Sequence, residues 1–126
     1  MIILDTDILI EILDKKSKAG DEALKRILES GEDIGITAIN LHEILYALQK
    51  YAKPVKEVLQ LPVLNFTKRD ANLSARIELE AESREMPICG MDAMIAAITI
   101  NNGASLYTLD LHHFQPLKAL GLKLFQ

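Results

Sequence analysis

Ile2, Ile3 and Leu4 are apolar without alternation and run directly into Asp5-Thr6-Asp7, after which the apolar pattern changes to helical spacing at Ile8, Leu9, Ile12 and Leu13. A strand apolar at consecutive positions is buried on both faces, the condition of a strand inside a parallel sheet with helices on either side. The same exchange between short apolar runs and helical segments recurs along the chain. Ile34–Ile36, Leu61–Phe66, Leu106–Thr108 and Leu122–Phe125 read as further strands. Asp7 is placed to cap the first helix, and Ser17–Gly20 reads as a turn. Ala23, Leu24, Ile27 and Leu28 form the expected inner face of a second helix that Gly31 ends. Thr37 caps a helix from Ala38 to about Ala52, Pro54 opens a short one, and Thr67 caps a charged helix to about Arg84. Met91–Ile100 is apolar nearly all round, as in a buried helix. The expected architecture is a three-layer α/β/α fold with a mainly parallel central sheet of four to five strands, in one domain over residues 1–126.

Composition restricts the function. Fourteen basic against eighteen acidic side chains leave a net charge of -4. A nucleic-acid ligand therefore needs a local basic patch or a bound cation rather than bulk charge. No run approaches the ~18 consecutive apolar residues of a membrane span, and no basic region precedes an apolar one at the start. No membrane association is expected. The one cysteine, Cys89, cannot form an internal disulfide, which fits a cytoplasmic protein, and it reads as a small buried residue.

In parallel sheets functional groups gather beyond the carboxyl ends of the strands. That rule selects four of the eighteen acids. Asp5 follows the first strand, Glu43 lies in the opening turns of the helix after the second, Asp92 is in the first turn of the buried helix, and Asp110 follows the fourth strand. Each has an ordinary explanation alone, as a cap, a first-turn acid or a turn residue. Together they are costly, since two carboxylates ~5 Å apart repel by roughly 3 kcal/mol at an effective dielectric near 20. A divalent cation offsets this far better than a helix N-terminus, and all-oxygen ligands favour Mg²⁺, with Mn²⁺ as the alternative. Such ions suit phosphate chemistry.

The segments ILDTDILI, TAINLHEILYAL, PICGMDAMIAAI and LYTLDLHHFQPLKALGLKLF occur in the order and spacing of a known family. The sequence resembles PIN-domain ribonucleases, specifically VapC-type toxins of toxin–antitoxin pairs, over essentially its whole length. The resemblance implies a metal-dependent endoribonuclease with Asp5, Glu43, Asp92 and Asp110 as its acidic quartet. Asp5, Asp92 and Asp110 would hold one or two Mg²⁺ ions, and Glu43 would position the attacking water or accept its proton, leaving a 5′ phosphate. Thr6 matches the family's small hydroxyl position, and Asp7 a position of Asn, Ser or Asp. The final segment departs from the pattern: relatives carry Asn at the position of Asp110 and an acid three residues later, where this chain has His113. A VapB-like antitoxin, a homodimer and an RNA substrate are the implied partners.

Other residues fit less well. His112 and His113 read as an ordinary loop pair, and His42, about 100° round the helix from Glu43, as peripheral. Lys15, Lys16 and Lys18 form the densest basic cluster, on an expected turn. Asp5-Thr6-Asp7 also matches the opening of haloacid-dehalogenase-like phosphatases, with Asp5 as nucleophile, although that family also needs a downstream lysine, a paired acidic motif and more chain than is present here. Receiver domains lack their late lysine here too, and an inactive PIN-like binding module is the non-enzymatic alternative.

Overall fold

Five strands, β1 (Ile2–Leu4), β2 (Ile34–Thr37), β3 (Val63–Leu64), β4 (Ser105–Tyr107) and β5 (Lys123–Leu124), form one sheet in the order β3-β2-β1-β4-β5. The computed structural model describes all of residues 1–126. Every pairing is parallel, so all five carboxyl ends share one edge. β1 sits in the centre, with Ile2 opposite Ile34 and Ser105, and its three residues are all buried. Unbroken apolarity of Ile2–Leu4 is thereby explained: Ile2 and Leu4 enter one core, and Ile3 the other. The outer strands are shorter than their apolar runs. β3 pairs Val63 with Ile36 and Leu64 with Thr37, and the Pro62 carbonyl accepts from the Ile36 amide, so only part of Leu61–Phe66 joins the ladder.

On the first face lie α1 (Thr6–Leu9), continued by a π-helical segment Ile10–Lys15, then α2 (Lys18–Ser30), α3 (Ala38–Lys50) and α4 (Lys56–Leu59). They enclose Leu9, Ile27, Ile36, Ile44 and Val58. The expected turn at Ser17–Gly20 is instead the opening of α2, because the Ser17 hydroxyl accepts from the Gly20 amide as an N-cap. Gly20 packs where α2 crosses the π-helical segment, and a Cβ there would stand 2.2 Å from the Glu11 carbonyl oxygen. Ala23 and Ile27 face the core, but Leu24 and Leu28, one residue further round, are 41% and 72% exposed. The two leucines are therefore not part of the inner face.

On the second face α5 (Lys68–Ser83) packs along α6 (Gly90–Asn101). Capping boxes start α3 and α5, through Thr37 with Asn40 and Thr67 with Asp70. Buried Asp70 also accepts from the Asn101 side chain, tying the start of α5 to the end of α6. α6 buries Ala93 and Ile95–Ala97 in one core with Ile3, Leu106 and Phe114. α7 (Leu111–Phe114) and a 3-10 segment Gln115–Leu120 fill what reads in sequence as a loop, and insert Phe114 and Leu117 into this core. Cys89, expected to be buried, is exposed in the turn before α6. No helix is long and apolar enough to cross a membrane.

Candidate active site

The strand order reverses at β1: the chain goes first to β2 on one side and returns later to β4 on the other. Beyond the carboxyl ends of β1 and β4 the flanking connections diverge, and a crevice opens there in parallel sheets. Asp5 follows β1 there, Asp7 comes from α1, Thr108 and Asp110 from the segment after β4, Asn40 and Glu43 from α3, and Asp92 from α6.

Asp5 begins this arrangement. Its amide donates to the Tyr107 carbonyl at 2.9 Å, extending the strand pairing by one residue. Its Oδ1 accepts from the Thr6 amide at 2.9 Å and so caps α1. Asp5, and not Asp7, is the cap, so the expected division of labour between the two aspartates is reversed in part. Oδ1 also accepts from Asn40 Nδ2 at 3.1 Å, and Oδ2 from the Thr108 hydroxyl at 2.7 Å. Asn40 links two tasks, since its Oδ1 accepts from the Thr37 amide and hydroxyl while its Nδ2 reaches Asp5 and Thr6 Oγ1. The Thr6 hydroxyl donates in turn to Glu43 Oε1 at 2.8 Å. Glu43 thus reaches Asp5 through one hydroxyl and one amide.

Asp7 turns toward β4. Its Oδ2 accepts from the Leu109 amide at 3.1 Å and lies 3.3 Å from the Thr108 hydroxyl, while its Oδ1 is buried with no hydrogen-bond partner. The Asp110 amide donates to Thr108 Oγ1, and Asp110 caps α7 by accepting from the His113 amide. Asp110 Oδ2 is 2.6 Å from His113 Nδ1. Asp92, Asp110 and His113 each offer a ligand atom within 4.8 Å of the others. Among the carboxylates of this crevice, the only ion pair within 4 Å is Asp110 with His113; no lysine or arginine pairs with them.

Electrostatics record this crowding. Burial, then the charge of Asp7 and to a smaller extent Asp92, push the Asp5 carboxyl up to about 7, against the opposing bonds from Thr108 and Thr6. Burial also raises Asp7, which the Leu109 and Ile8 amides partly restrain. Asp92 is raised by burial and by Asp110 and Glu43, with His113 opposing. His113 is raised above the usual histidine value by its hydrogen bond to Asp110 and by that residue's charge.

All four acids singled out in the sequence therefore reach one crevice, and Asp7 joins them. Sequence reasoning passed over three further members. Asn40 and Thr108 resemble ordinary cap and turn residues, and no local pattern announces their reach to Asp5. The spacing of Asp110 and His113 did carry a signal, because residues three apart meet on a helical turn. His42 is exposed and takes no part. A groove of about 320 Å³ opens beside His113, lined by Arg84, Met86, Pro87, Ile88 and His112 among others.

The donor chemistry fits a hard divalent cation. Carboxylate oxygens predominate, Asp7 Oδ1 lacks any partner, and Asp5 carries a proton up to near neutrality in the absence of a counter-charge.

Comparison with known proteins agrees with this fold. The PIN domain family matches residues 2–117. Among solved structures, VapBC2 from Rickettsia felis bound to a DNA fragment from its promoter superposes with a TM-score of 0.80 at 23% identity, covering 100% of both chains. DNA-bound VapBC from Salmonella typhimurium gives a TM-score of 0.79 at 22% identity, covering 98% of this chain and 96% of that one. FitAcB from Neisseria gonorrhoeae gives 0.79 at 22%, covering 100% and 97%. These likenesses show a common fold. No protein with a curated description matches the sequence.

Proposed function

The chain belongs to the PIN-domain family, and from that premise we propose that it is a divalent-metal-dependent endoribonuclease, the toxin of a VapBC-type pair acting in the cytoplasm. The observation that carries this reading is the convergence of Asp5, Asp7, Glu43, Asp92 and Asp110 at the switch point of the sheet with only one cationic side chain, His113, paired to them. Such a cluster is unfavourable by itself and becomes favourable around a cation that a phosphodiester also needs.

Asp5, Asp92 and Asp110 are the residues we assign to hold Mg²⁺ or Mn²⁺. When bound, the ion supplies charge stabilisation at the phosphate oxygens and lowers the proton affinity of water. Asp5 keeps a free lone pair on Oδ2 for this purpose, since Thr108 occupies the other. Asn40 and Thr108 fix the plane of its carboxylate. Glu43, oriented at Oε1 by Thr6, presents its second oxygen to take a proton from the attacking water. Water attacks the phosphorus in line, the 3′ oxygen leaves, and the product carries a 5′ phosphate. The groove beside His113 gives the RNA strand a path to the acids that includes Arg84 and His112.

Exposed Leu24 and Leu28 on α2, with Tyr46 and Tyr51 on and beside α3, provide the apolar surface that a VapB-like antitoxin or a second copy of the chain would cover. Structures of similar fold include a toxin–antitoxin complex from Klebsiella pneumoniae and a member of the VapBC family of toxin–antitoxin systems from Mycobacterium tuberculosis. The absence of any paired lysine at Asp5 gives no support to the phospho-aspartate alternative.

The deciding experiment incubates structured and unstructured RNA with the protein in Mg²⁺, Mn²⁺ or EDTA, and repeats it with Asp5→Asn and Asp92→Asn. Metal-dependent cleavage yielding 5′-phosphate ends, lost in both variants, is the expected result. Products ending in 2′,3′-cyclic phosphate, or cleavage that persists in EDTA or in either variant, would overturn the assignment.

A further inference from the structure

A cation in this crevice is expected to meet oxygen ligands only, yet α7 brings a ring nitrogen into the same space. α7 exists because Asp110 caps it, accepting from the His113 amide, and because Phe114 anchors its end in the core. One helical turn then sets His113 Nδ1 2.6 Å from Asp110 Oδ2, and Asp92, Asp110 and His113 each offer a ligand atom within 4.8 Å of the others. Neighbouring ligands on an octahedral ion stand about 3 Å apart, given bonds of about 2.1 Å at right angles. The side chain of His113 is 53% exposed, so the ring can turn without disturbing the core. Asp92 offers a carboxylate oxygen to the same space.

We propose that His113 is a nitrogen ligand of the cation held by Asp92 and Asp110, and that it shifts the preference of the site from Mg²⁺ toward Mn²⁺. Mg²⁺ is hard, bound by oxygen and reluctant to dehydrate, whereas Mn²⁺ shares its carboxylate and water ligands but also opens the first-row series of ions bound by sites that mix nitrogen with oxygen. The hydrogen bond from His113 to Asp110 is then the ion-free arrangement, in which the ring occupies one edge of the carboxylate that the metal would share. This inference rests on the metal-dependent reading above, but it concerns the ligand set and not the reaction.

The test uses Mn²⁺ itself as the probe, on the full chain without RNA. Electron spin-echo spectroscopy of the Mn²⁺-loaded protein should show an imidazole nitrogen coupling. His113→Gln should abolish it, while His42→Gln and His112→Gln should leave it intact. Titration calorimetry should find Mn²⁺ bound more tightly than Mg²⁺, and the ratio of the two affinities should fall about tenfold or more in His113→Gln. His113→Asp, which restores an oxygen donor, should keep Mn²⁺ binding without the nitrogen signal. Circular dichroism establishes that each variant is folded. A bound ion with no nitrogen coupling, or an affinity ratio unchanged in His113→Gln, overturns the proposal. Nitrogen coupling without RNA cleavage supports this ligand and refutes the nuclease reading. Cleavage without nitrogen coupling does the reverse, and failure of Mn²⁺ to bind refutes both.

Discussion

Asp5→Asn should make the metal-free protein more stable at pH 8 while destroying its activity. Asp5 is pushed up to about 7 in the native state, against about 3.9 in an unfolded chain. Between those values the folded protein binds a proton that the unfolded chain has released, so its stability falls as pH rises. The loss is absent below pH ~4 and complete above pH ~7, and a gap of about three pH values at about 1.4 kcal/mol each amounts to roughly 4 kcal/mol. Asp7 and Asp92 are also raised and add in the same direction. Asp70 behaves oppositely: although burial pushes it up, Asn101 and Thr67 hold it below its usual value, so its contribution is lost only as pH falls below about 4. The substituted amide keeps an oxygen for the Thr6 and Asn40 donors and offers an N–H to Thr108 Oγ1, whose own proton can turn toward Asp7. Geometry is therefore conserved and one buried charge is removed. Urea denaturation in EDTA from pH 4.5 to 8 measures the effect. The parent should lose several kcal/mol across this range and the variant much less, with the curves crossing near the acid end. Mg²⁺ should restore stability to the parent at pH 8 and do little for the variant. If the variant is the less stable protein at pH 8, or shows the parent's full pH dependence, buried charge at Asp5 is not the source of the strain.

Other expectations follow from the same contacts. Asn40→Ala should reduce cleavage by about 10–100-fold through misorientation of Asp5 and Glu43, and should cost about 1–2 kcal/mol through the lost capping box of α3, measured by RNA turnover and thermal melting. Gly20→Ala should lower stability by about 1–3 kcal/mol because its Cβ meets the Glu11 carbonyl, with cleavage by the folded fraction unchanged. Phe114→Ala should cost about 3–5 kcal/mol and weaken Mn²⁺ binding, since Phe114 anchors the turn that carries His113. His112→Ala should raise KM for RNA more than it lowers kcat, read from initial rates, if the groove beside His113 guides the strand.

Much of the site was legible in the sequence because its parts are set locally. Strand ends, caps and first turns follow from spacing along the chain, and Asp5, Glu43, Asp92 and Asp110 were chosen by that logic alone. Parallel pairing brings all carboxyl ends to one edge, so choosing strand ends also chooses neighbours in space. The unbroken apolarity of Ile2–Leu4 and the capping residues Thr37 and Thr67 are equally local facts. Tertiary structure decided whatever depends on a partner distant in sequence. Asp5 and Asp7 are nearly identical in local context. Which of them caps α1 is decided by β4 and the segment after it, which bind the Asp5 amide through Tyr107 and draw Asp7 away through Leu109. Leu24 and Leu28 fit the helical period as well as Ala23 and Ile27, but only one stripe of α2 meets the sheet layer. The position of His113 required a short helix whose stability comes from Phe114 in the core rather than from its own four residues. Local spacing determined which acids could meet; burial and long-range hydrogen bonds determined how each is held.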